Sequence, residues 1–467
     1  MMNRLQEDLH YLEEILEQAK LTGIDFLAQL ETLSTSHQAD EVKASKDLPE
    51  GGGALDALQL FKAHYLHLIT ASSGPRYWGF VTGGTTPAAL IGDWLCSVFD
   101  QNPQSVTLNG DISAHIEHET IKLMRRLFSL PDSFNGSFVS GATLSNFTGL
   151  AVARQWAGEQ LQHNIASDGM LPGIKVLSAN PHSSVLKSLA MLGFGRNQLV
   201  QVKSKPHTES IDLDDLESLL AMYQDSPIIL SASAGTVNTS DFDDLQAIAE
   251  LKRQYKFWLH IDAAFGGFAA CTPKYASLLQ GWETADSITI DGHKWMNVPY
   301  DSAVAFVRHE HQNLQIQTFQ NSNAPYLGNP ATNFSFASNV PENSRRLRAL
   351  PAWFSLIAYG REGFKNIVEN SIQLAQQFGG FIAKSENFEL LAPVKLNTVC
   401  FTLKHRKEQV DLYLDTLNKL GKVYLTPTVY AGQRCMRTAF VNWRTSANDL
   451  EIAKESMQQA YNTCFIS

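Results

Sequence analysis

Short apolar runs alternate with stretches of helical periodicity through the middle of the chain. The strand-like runs are Ser137–Val139, Ile174–Leu177, Ile228–Leu230, Phe257–Ile261, Ser287–Ile290 and Ala303–Val307, with helical segments such as Asn146–Gln160 and Leu213–Tyr223 between them. This alternation predicts an α/β architecture, a large and mostly parallel sheet with helices on both faces. Towards the N-terminus, Leu5, Leu9, Leu12, Ile15 and Leu16 recur at helical spacing with carboxylates between them, the pattern of an amphipathic helix. A polar stretch from Ser34 ends in Gly51-Gly52-Gly53 and reads as a linker, followed by a short helix over Ala54–Ala71. Beyond Pro351 a two-part helix runs to about Lys384. Strands near Thr398–Leu403 and Arg437–Asn442, a helix near Gln409–Leu420 and a final helix follow it. The chain thus divides into an N-terminal helical segment (1–75), a large domain (76–350) and a small α+β domain (351–467). The length of 467 residues supports the division, because single cores stop growing near ~250–300 residues.

Charge and cysteine usage narrow the class. A formal net charge of −10 argues against nucleic acid or an anionic membrane surface as the main partner. Cys96, Cys271, Cys400, Cys435 and Cys464 are scattered, odd in number and never in a CxxC pair. This is neither a disulfide framework nor a zinc ribbon. No apolar run reaches the ~18 residues that span a bilayer, and MMNRLQEDLHYLEE lacks the apolar core of a signal peptide. The expectation is a cytoplasmic protein with neither membrane nor nucleic-acid partners.

Five short motifs carry chemistry, each weak alone. Lys294 stands just past the apolar run Ser287–Ile290, in Asp291-Gly292-His293-Lys294-Trp295. A lysine in a dry pocket gives up its proton readily and can form a Schiff base, although a lone lysine after a strand is more often a surface residue. Asp262 ends the run Phe257–Ile261 and is followed by small residues, Ala263 and Ala264 among them. It reads equally as an N-cap or as the partner of a protonated ring nitrogen. Ser140-Gly141-Ala142-Thr143 follows a strand and opens a helix, where free N–H groups suit a phosphate; an ordinary capped turn is the plainer reading. His182, in Asn180-Pro181-His182, offers a flat face for stacking or sits in a surface loop. Thr236, in Gly235-Thr236-Val237, offers a hydroxyl or closes a polar turn. All five follow the carboxyl ends of strands, where open α/β sheets bind ligands. Together they supply an amine, a ring-nitrogen partner, a phosphate cradle, a stacking face and a hydroxyl, the set that pyridoxal 5'-phosphate requires.

With these residues in place, the sequence resembles the group II pyridoxal-phosphate decarboxylases, which act on aromatic amino acids, histidine, glutamate and diaminobutyrate. The resemblance runs from Gly74-Pro75-Arg76-Tyr77 through Asp262-Ala263-Ala264 and His293-Lys294-Trp295 to Ser344-Arg345-Arg346 and Trp353. It implies the fold-type I architecture and a homodimer with sites at the subunit interface. It further implies decarboxylation of an L-amino acid to its amine, with transamination, carbon–carbon lyase chemistry, aldehyde formation or a non-catalytic family member as alternatives. By the same resemblance Lys294 binds the cofactor covalently, Asp262 pairs with the ring nitrogen, Ala264 lies under the ring and His182 stacks above it. Ala142, Thr143 and His293 hold the phosphate, Thr236 lies near the ring oxygen, and Trp78, Phe80, Thr85 and Pro87 wall the substrate side.

Two positions depart from the pattern. Asp291 stands where relatives often carry asparagine, and a carboxylate beside a phosphate is repelled, so Asp291 is expected to turn away or pair with a cation. Relatives return the proton from a loop tyrosine. Tyr326 is the candidate here, although counting back from Arg345-Arg346 puts Phe336 at the expected place. His115 and His118 read as a solvated helix face rather than metal ligands, and His309-Glu310-His311 as a surface turn. Arg437 reads as a structural ion pair or as a substrate-carboxylate ligand, and Arg345-Arg346 as an anchor of the domain junction.

Overall fold

The computed structural model describes residues 3–37, 48, 50–104, 112–320 and 335–466. Among these, seven strands form one sheet: β1 (Phe134–Val139), β2 (Lys175–Ser178), β3 (Leu199–Gln201), β4 (Ile228–Ser233), β5 (Phe257–Asp262), β6 (Ser287–Asp291) and β7 (Ala303–Arg308). Their order is β1-β7-β6-β5-β4-β2-β3. Strand β7 is antiparallel to both β1 and β6, and all other neighbours are parallel. The carboxyl ends of β1, β2, β4, β5 and β6 therefore share one edge of the sheet.

The alternation of side chains along the strands sorts them into two cores. Leu177, Ile228, Leu230, Phe257, Leu259 and Phe306 enter one cluster, and the intervening Val176, Ile229, Trp258 and Val307 enter the other. The second cluster is closed by Leu150, Val152, Ala153, Trp156 and Leu189 from the helices Ala142–Gln160 and Ser183–Met191. The first is closed by Ile121, Met124, Ile248 and Leu251 from the helices Ile112–Leu127 and Leu245–Gln254. Both faces are covered, so the strands read as nearly continuous apolar runs, as parallel sheets require.

A second, four-stranded sheet comprises β8 (Phe388–Leu390), β9 (Thr398–Leu403), β10 (Thr426–Tyr430) and β11 (Gln433–Ala439), in the order β10-β11-β9-β8 and antiparallel throughout. Its core holds Phe378, Phe388, Phe401 and Phe440 together with Trp78. The two-part helix expected after Pro351 is two helices joined at Gly360 within Ala349–Lys384. The break is a φ of 54°, a conformation that glycine adopts freely. Strands β3 and β8, at three residues each, are too short to leave a periodic signal in the sequence. No helix among the described residues is long and apolar enough to cross a membrane.

Candidate active site

Strand β6 runs out at Asp291, whose N–H donates to Ala264 O at 2.9 Å, and the chain turns as Gly292 and His293 both donate to Ser302 O. The turn carries Lys294 into a cavity of about 720 Å³ at the carboxyl edge of the sheet. The segment Thr82–Gly84 crosses its backbone so closely that a Cβ on Gly83 would lie 1.6 Å from Lys294 O. Lys294 Nζ stands 3.6 Å from Asp291 Oδ2, and Asp291 Oδ1 stands 3.1 Å from His293 Nε2. The unusual carboxylate thus sits between two basic side chains. The His293 ring packs against Tyr300 with centroids 4.2 Å apart and the ring planes tilted by 31°.

Asp262 reaches the same cavity from the end of β5, next to β6. Its Oδ1 accepts from Ala264 N at 3.2 Å and its Oδ2 from Asn146 Nδ2 at 2.9 Å. Two fixed donors thus hold both oxygens of the carboxylate in place. Asn146 is a residue that sequence reasoning missed. Its signal was no more than an amide one turn into a helix that also buries Ser145, Thr148 and Gln155.

The helix Ala142–Gln160 begins at Gly141, and no side chain caps it. Its first-turn N–H groups lack intrahelical partners, and Ala142 and Thr143 line the cavity. A Cβ on Gly141 would stand 3.2 Å from His293 Cε1. This uncapped positive end suits an anionic phosphate. His182 caps the helix Ser183–Met191, its Nδ1 2.8 Å from Ser184 Oγ. Burial lowers its pKa. Thr236 Oγ1 accepts from Asp241 N at 3.0 Å and meets Thr239 Oγ1 at 3.2 Å. Lys294, His293, Asp262, Ala264, His182, Ala142, Thr143 and Thr236 all line this one cavity, and their donors and charges fit pyridoxal phosphate.

The small domain closes one wall. Arg437 on β11 lines the cavity and donates from Nη1 to Val237 O at 2.9 Å. Burial lowers its pKa. It makes no ion pair with a carboxylate among the described residues, which corrects the structural-pair reading. Glu209, also on the wall, accepts from Asn238 Nδ2 at 2.8 Å and Thr239 Oγ1 at 2.9 Å. The turn bearing Thr236 is held against the second sheet. Thr428 Oγ1 donates to Asn238 Oδ1 at 2.6 Å, Ser240 Oγ meets Thr398 Oγ1 at 2.7 Å, and Lys395 pairs with Asp241.

Other expected residues lie elsewhere. Tyr326 falls outside the described residues. Phe336 is fully buried in the turn Phe336–Ser338, 4.9 Å beneath the Arg345 guanidinium, and does not line the cavity. Trp78 packs into the small-domain core against Phe440 and Phe378, so Phe80 and its neighbour Val81 form that part of the wall instead. His115 and His118 belong to the helix Ile112–Leu127. His309 and Glu310 are exposed, in keeping with a surface turn, whereas His311 is partly buried. Its ring packs 4.4 Å from Trp258, and its Nε2 lies 2.9 Å from Asp286 Oδ1. Asp286 also pairs with Lys252, so a lysine ammonium already lies against the group Asp286, Glu310 and His311.

The sequence model of the pyridoxal-dependent decarboxylase conserved domain matches residues 55–404. The chain belongs to that family. Its cofactor is pyridoxal 5'-phosphate, and it is a carboxy-lyase of the pyridoxal-phosphate class. Among curated relatives, the aromatic-L-amino-acid decarboxylase of Bacillus atrophaeus is 28% identical over 450 residues, covering 94% of this chain and 90% of its own. The 3,4-dihydroxyphenylacetaldehyde synthase of Aedes aegypti is 24% identical over 434 residues, covering 87% and 80%. The fold matches the crystal structure of Oryza sativa TDC with PLP and tryptamine at a TM-score of 0.89 and 20% identity, covering 99% of this chain and 100% of the other. Family members thus include both amino-acid decarboxylases and aldehyde synthases.

Proposed function

We propose that this member of the family decarboxylates an L-amino acid to the corresponding amine. The observation that carries the reading is that Lys294, Asp262 and the uncapped turn at Ala142–Thr143 face one cavity. In this reading Lys294 Nζ holds the cofactor covalently and Asp262 pairs with its ring nitrogen. Ala142, Thr143 and His293 hold the phosphate, His182 and Ala264 take the two ring faces, and Thr236 lies by the ring oxygen. Bound there, the cofactor supplies a sink for the electron pair released when the bond to the α-carboxylate breaks.

The protein's share is orientation and electrostatics. Asp262, fixed by the Ala264 and Asn146 donors, keeps a negative charge aimed into the cavity. Arg437 gives the small-domain wall a cation with no carboxylate partner among the described residues, available to an anionic group of the substrate. When Lys294 Nζ carries a proton, Asp291 Oδ2 at 3.6 Å is its counter-ion. Tyr326 is assigned the return of the proton to the substrate carbon.

The mouth of the cavity favours an aromatic or apolar side chain. Phe80 lines it and is largely exposed, and behind it Tyr77 stacks on Tyr424 with centroids 4.6 Å apart. The aromatic substrates named for the relatives agree with this reading. The exposed apolar residues Leu5, Leu9, Leu16, Ile24, Trp94, Val98 and Phe99 form the kind of surface that a subunit contact covers, which supports a homodimer. The five cysteines are all free thiols, which supports a reducing, cytoplasmic setting.

One observation favours a second outcome. Phe336, at the position counted for the loop tyrosine, carries no hydroxyl and is buried away from the cavity. A site short of a proton donor would, with dioxygen as the two-electron oxidant and water as the oxygen source, release an aldehyde, ammonia and hydrogen peroxide after CO₂ is lost. A panel of L-amino acids assayed for CO₂, amine, aldehyde and keto acid tests both readings. CO₂ and amine in equal amounts are expected. Aldehyde in place of amine selects the second reading, and keto acid without CO₂ overturns both.

A further inference from the structure

Asn146 sits where two hydrogen-bonded branches meet behind the cavity. Its Nδ2 lies 2.9 Å from Asp262 Oδ2 and 3.0 Å from Ser184 Oγ, and its Oδ1 lies 2.9 Å from His260 Nε2. His260 Nδ1 lies 2.8 Å from Ser287 Oγ, which receives the Trp258 indole N–H at 3.0 Å. On the other branch Ser184 Oγ lies 2.8 Å from His182 Nδ1, and Ser184 N donates to the same nitrogen at 3.3 Å. Asn146, His260, Ser287, Ser184 and Trp258 are all buried, and none but Ser184 lines the cavity.

The two ends of this chain fix the direction of every bond within it. The Trp258 indole can only donate, and an ionised Asp262 can only accept. Ser287 receives from Trp258, and although its hydroxyl could accept a second time, the Asp262 end requires His260 Nδ1 to be bare, so Ser287 gives its one proton to that nitrogen. His260 then carries its proton on Nε2 and donates to Asn146 Oδ1, which turns the amide nitrogen towards Asp262. The direction is set from Asp262 backwards, and the Trp258 donor is consistent with it. The second N–H of Asn146 goes to Ser184 Oγ, whose own proton is left for His182 Nδ1. Since Ser184 N also donates to that Nδ1, the nitrogen is bare, and a neutral His182 carries its proton on Nε2. Burial lowers the pKa of both histidines, that of His260 to about 4, which keeps both rings neutral near pH 7.

We propose that Asn146 and His260 are positioning residues that act as one device: they hold Asp262 as an oriented anion and lock His182 in the Nε2–H tautomer. The proposal deepens the cofactor placement given above and rests on it. The device sets the two groups that address the ring, the nitrogen partner and the stacking imidazole, from a single amide. A neutral donor–acceptor chain of this kind supplies charge and orientation without placing a second charge beside the cofactor.

The test is solid-state nitrogen-15 NMR of the full-length, histidine-labelled holoenzyme near pH 7, with the His182 signals identified by their loss in His182→Gln. The expected result is a bare Nδ1 and a protonated Nε2 in the wild type. Ser184→Ala removes the hydroxyl and leaves the backbone N–H of residue 184 as the one remaining donor to Nδ1. The Nδ1 signal should therefore shift and a minor Nδ1–H form should appear beside the Nε2–H form, while cofactor affinity stays within about threefold. Asn146→Leu should mix the tautomers and also raise the cofactor dissociation constant about tenfold, because a hydrogen bond to a charged group is lost. A wild-type His182 that is protonated on Nδ1, or charged, overturns the proposal. So does an unchanged His182 spectrum in Ser184→Ala, a conservative change that keeps the proposal exposed should Asn146→Leu fail to fold. Borohydride trapping reports the cofactor placement separately: absence of a pyridoxyl adduct on Lys294 would overturn that reading even if the tautomer is as stated.

Discussion

Arg345 Nη2 and Glu117 Oε2 meet at 2.9 Å with neither side chain exposed to solvent. The pair is more than an isolated ion contact. Glu117 Oε1 accepts from Phe138 N at 2.9 Å and Arg345 Nη1 donates to Phe138 O at 3.0 Å, so both peptide groups of Phe138 are held. Phe138 lies just before the turn that opens at Ala142, and the ion pair thereby pins the strand that delivers the uncapped helix end to the cavity. Removing one partner of a buried pair strands the other, which costs about 3–5 kcal/mol. Glu117→Ala should lose that much in denaturant unfolding; a loss below about 1 kcal/mol would contradict this account.

The covalent role proposed for Lys294 and the ring-nitrogen role proposed for Asp262 separate cleanly in experiment. Lys294→Ala should abolish the borohydride adduct and lower kcat by at least ~10³-fold. Asp262→Ala should keep the adduct and lower kcat by roughly 10²–10³-fold, the size expected when a preorganised charge is removed. Mass spectrometry of the reduced protein and steady-state kinetics read both. An Asp262→Ala enzyme with undiminished kcat would sink the assignment.

His260 makes stability depend on pH with a defined sign. The unfolded imidazole takes up a proton near 6.5, and the buried one only near 4. Between these values the unfolded state binds more protons, so the contribution is intact above about 6.5 and is lost as the pH falls towards 4. At about 1.4 kcal/mol per pH unit this amounts to ~3 kcal/mol. Asp243, fully buried and raised to about 6, acts with the opposite sign in the same window and flattens the wild-type curve. The difference between wild type and His260→Gln isolates the histidine. Unfolding free energies at pH 7 and pH 4.5 should show the wild type losing ground to the variant on acidification, and a pH-independent difference would refute the assignment.

Gly83 is required by contact rather than by conformation. Because a Cβ there would lie 1.6 Å from Lys294 O, Gly83→Ala must push the Thr82–Gly84 segment away from the lysine. Overpacking of this kind costs about 1–3 kcal/mol. The variant should lose activity by more than its loss of stability explains, visible as reduced kcat in protein still folded by circular dichroism. Wild-type kcat in Gly83→Ala would show that the segment yields without disturbing Lys294.

The large domain was legible in the sequence because its strands are buried on both sides. Ile228–Leu230 and Phe257–Ile261 are continuous apolar runs whose alternate residues feed two cores, and the polar motifs stand directly at their ends. Asp262 and Lys294 could be placed together because β5 and β6 are neighbours in the sheet. Asn146 and His260 were not legible as partners. They are 114 positions apart, and nothing in either segment reveals that a helix turn settles over a strand. Trp78 misled for a related reason: its position suggested the substrate wall, whereas its indole packs into the aromatic core of the other domain and donates to Pro75 O at 2.8 Å. His311 looked like a loop residue because its partner Asp286 lies in a different strand-to-strand connection.

The footing of the Thr236 turn on the second sheet has a consequence for how variation in this protein reads out. Thr398 and Thr428 never reach the cavity, yet each holds one residue of the segment that presents the Thr236 hydroxyl and the Val237 carbonyl. The smaller domain therefore behaves as a foundation whose settling tilts one side of the ligand chamber. Substitutions along its polar face would surface as altered ligand affinity, far from any residue that touches the ligand.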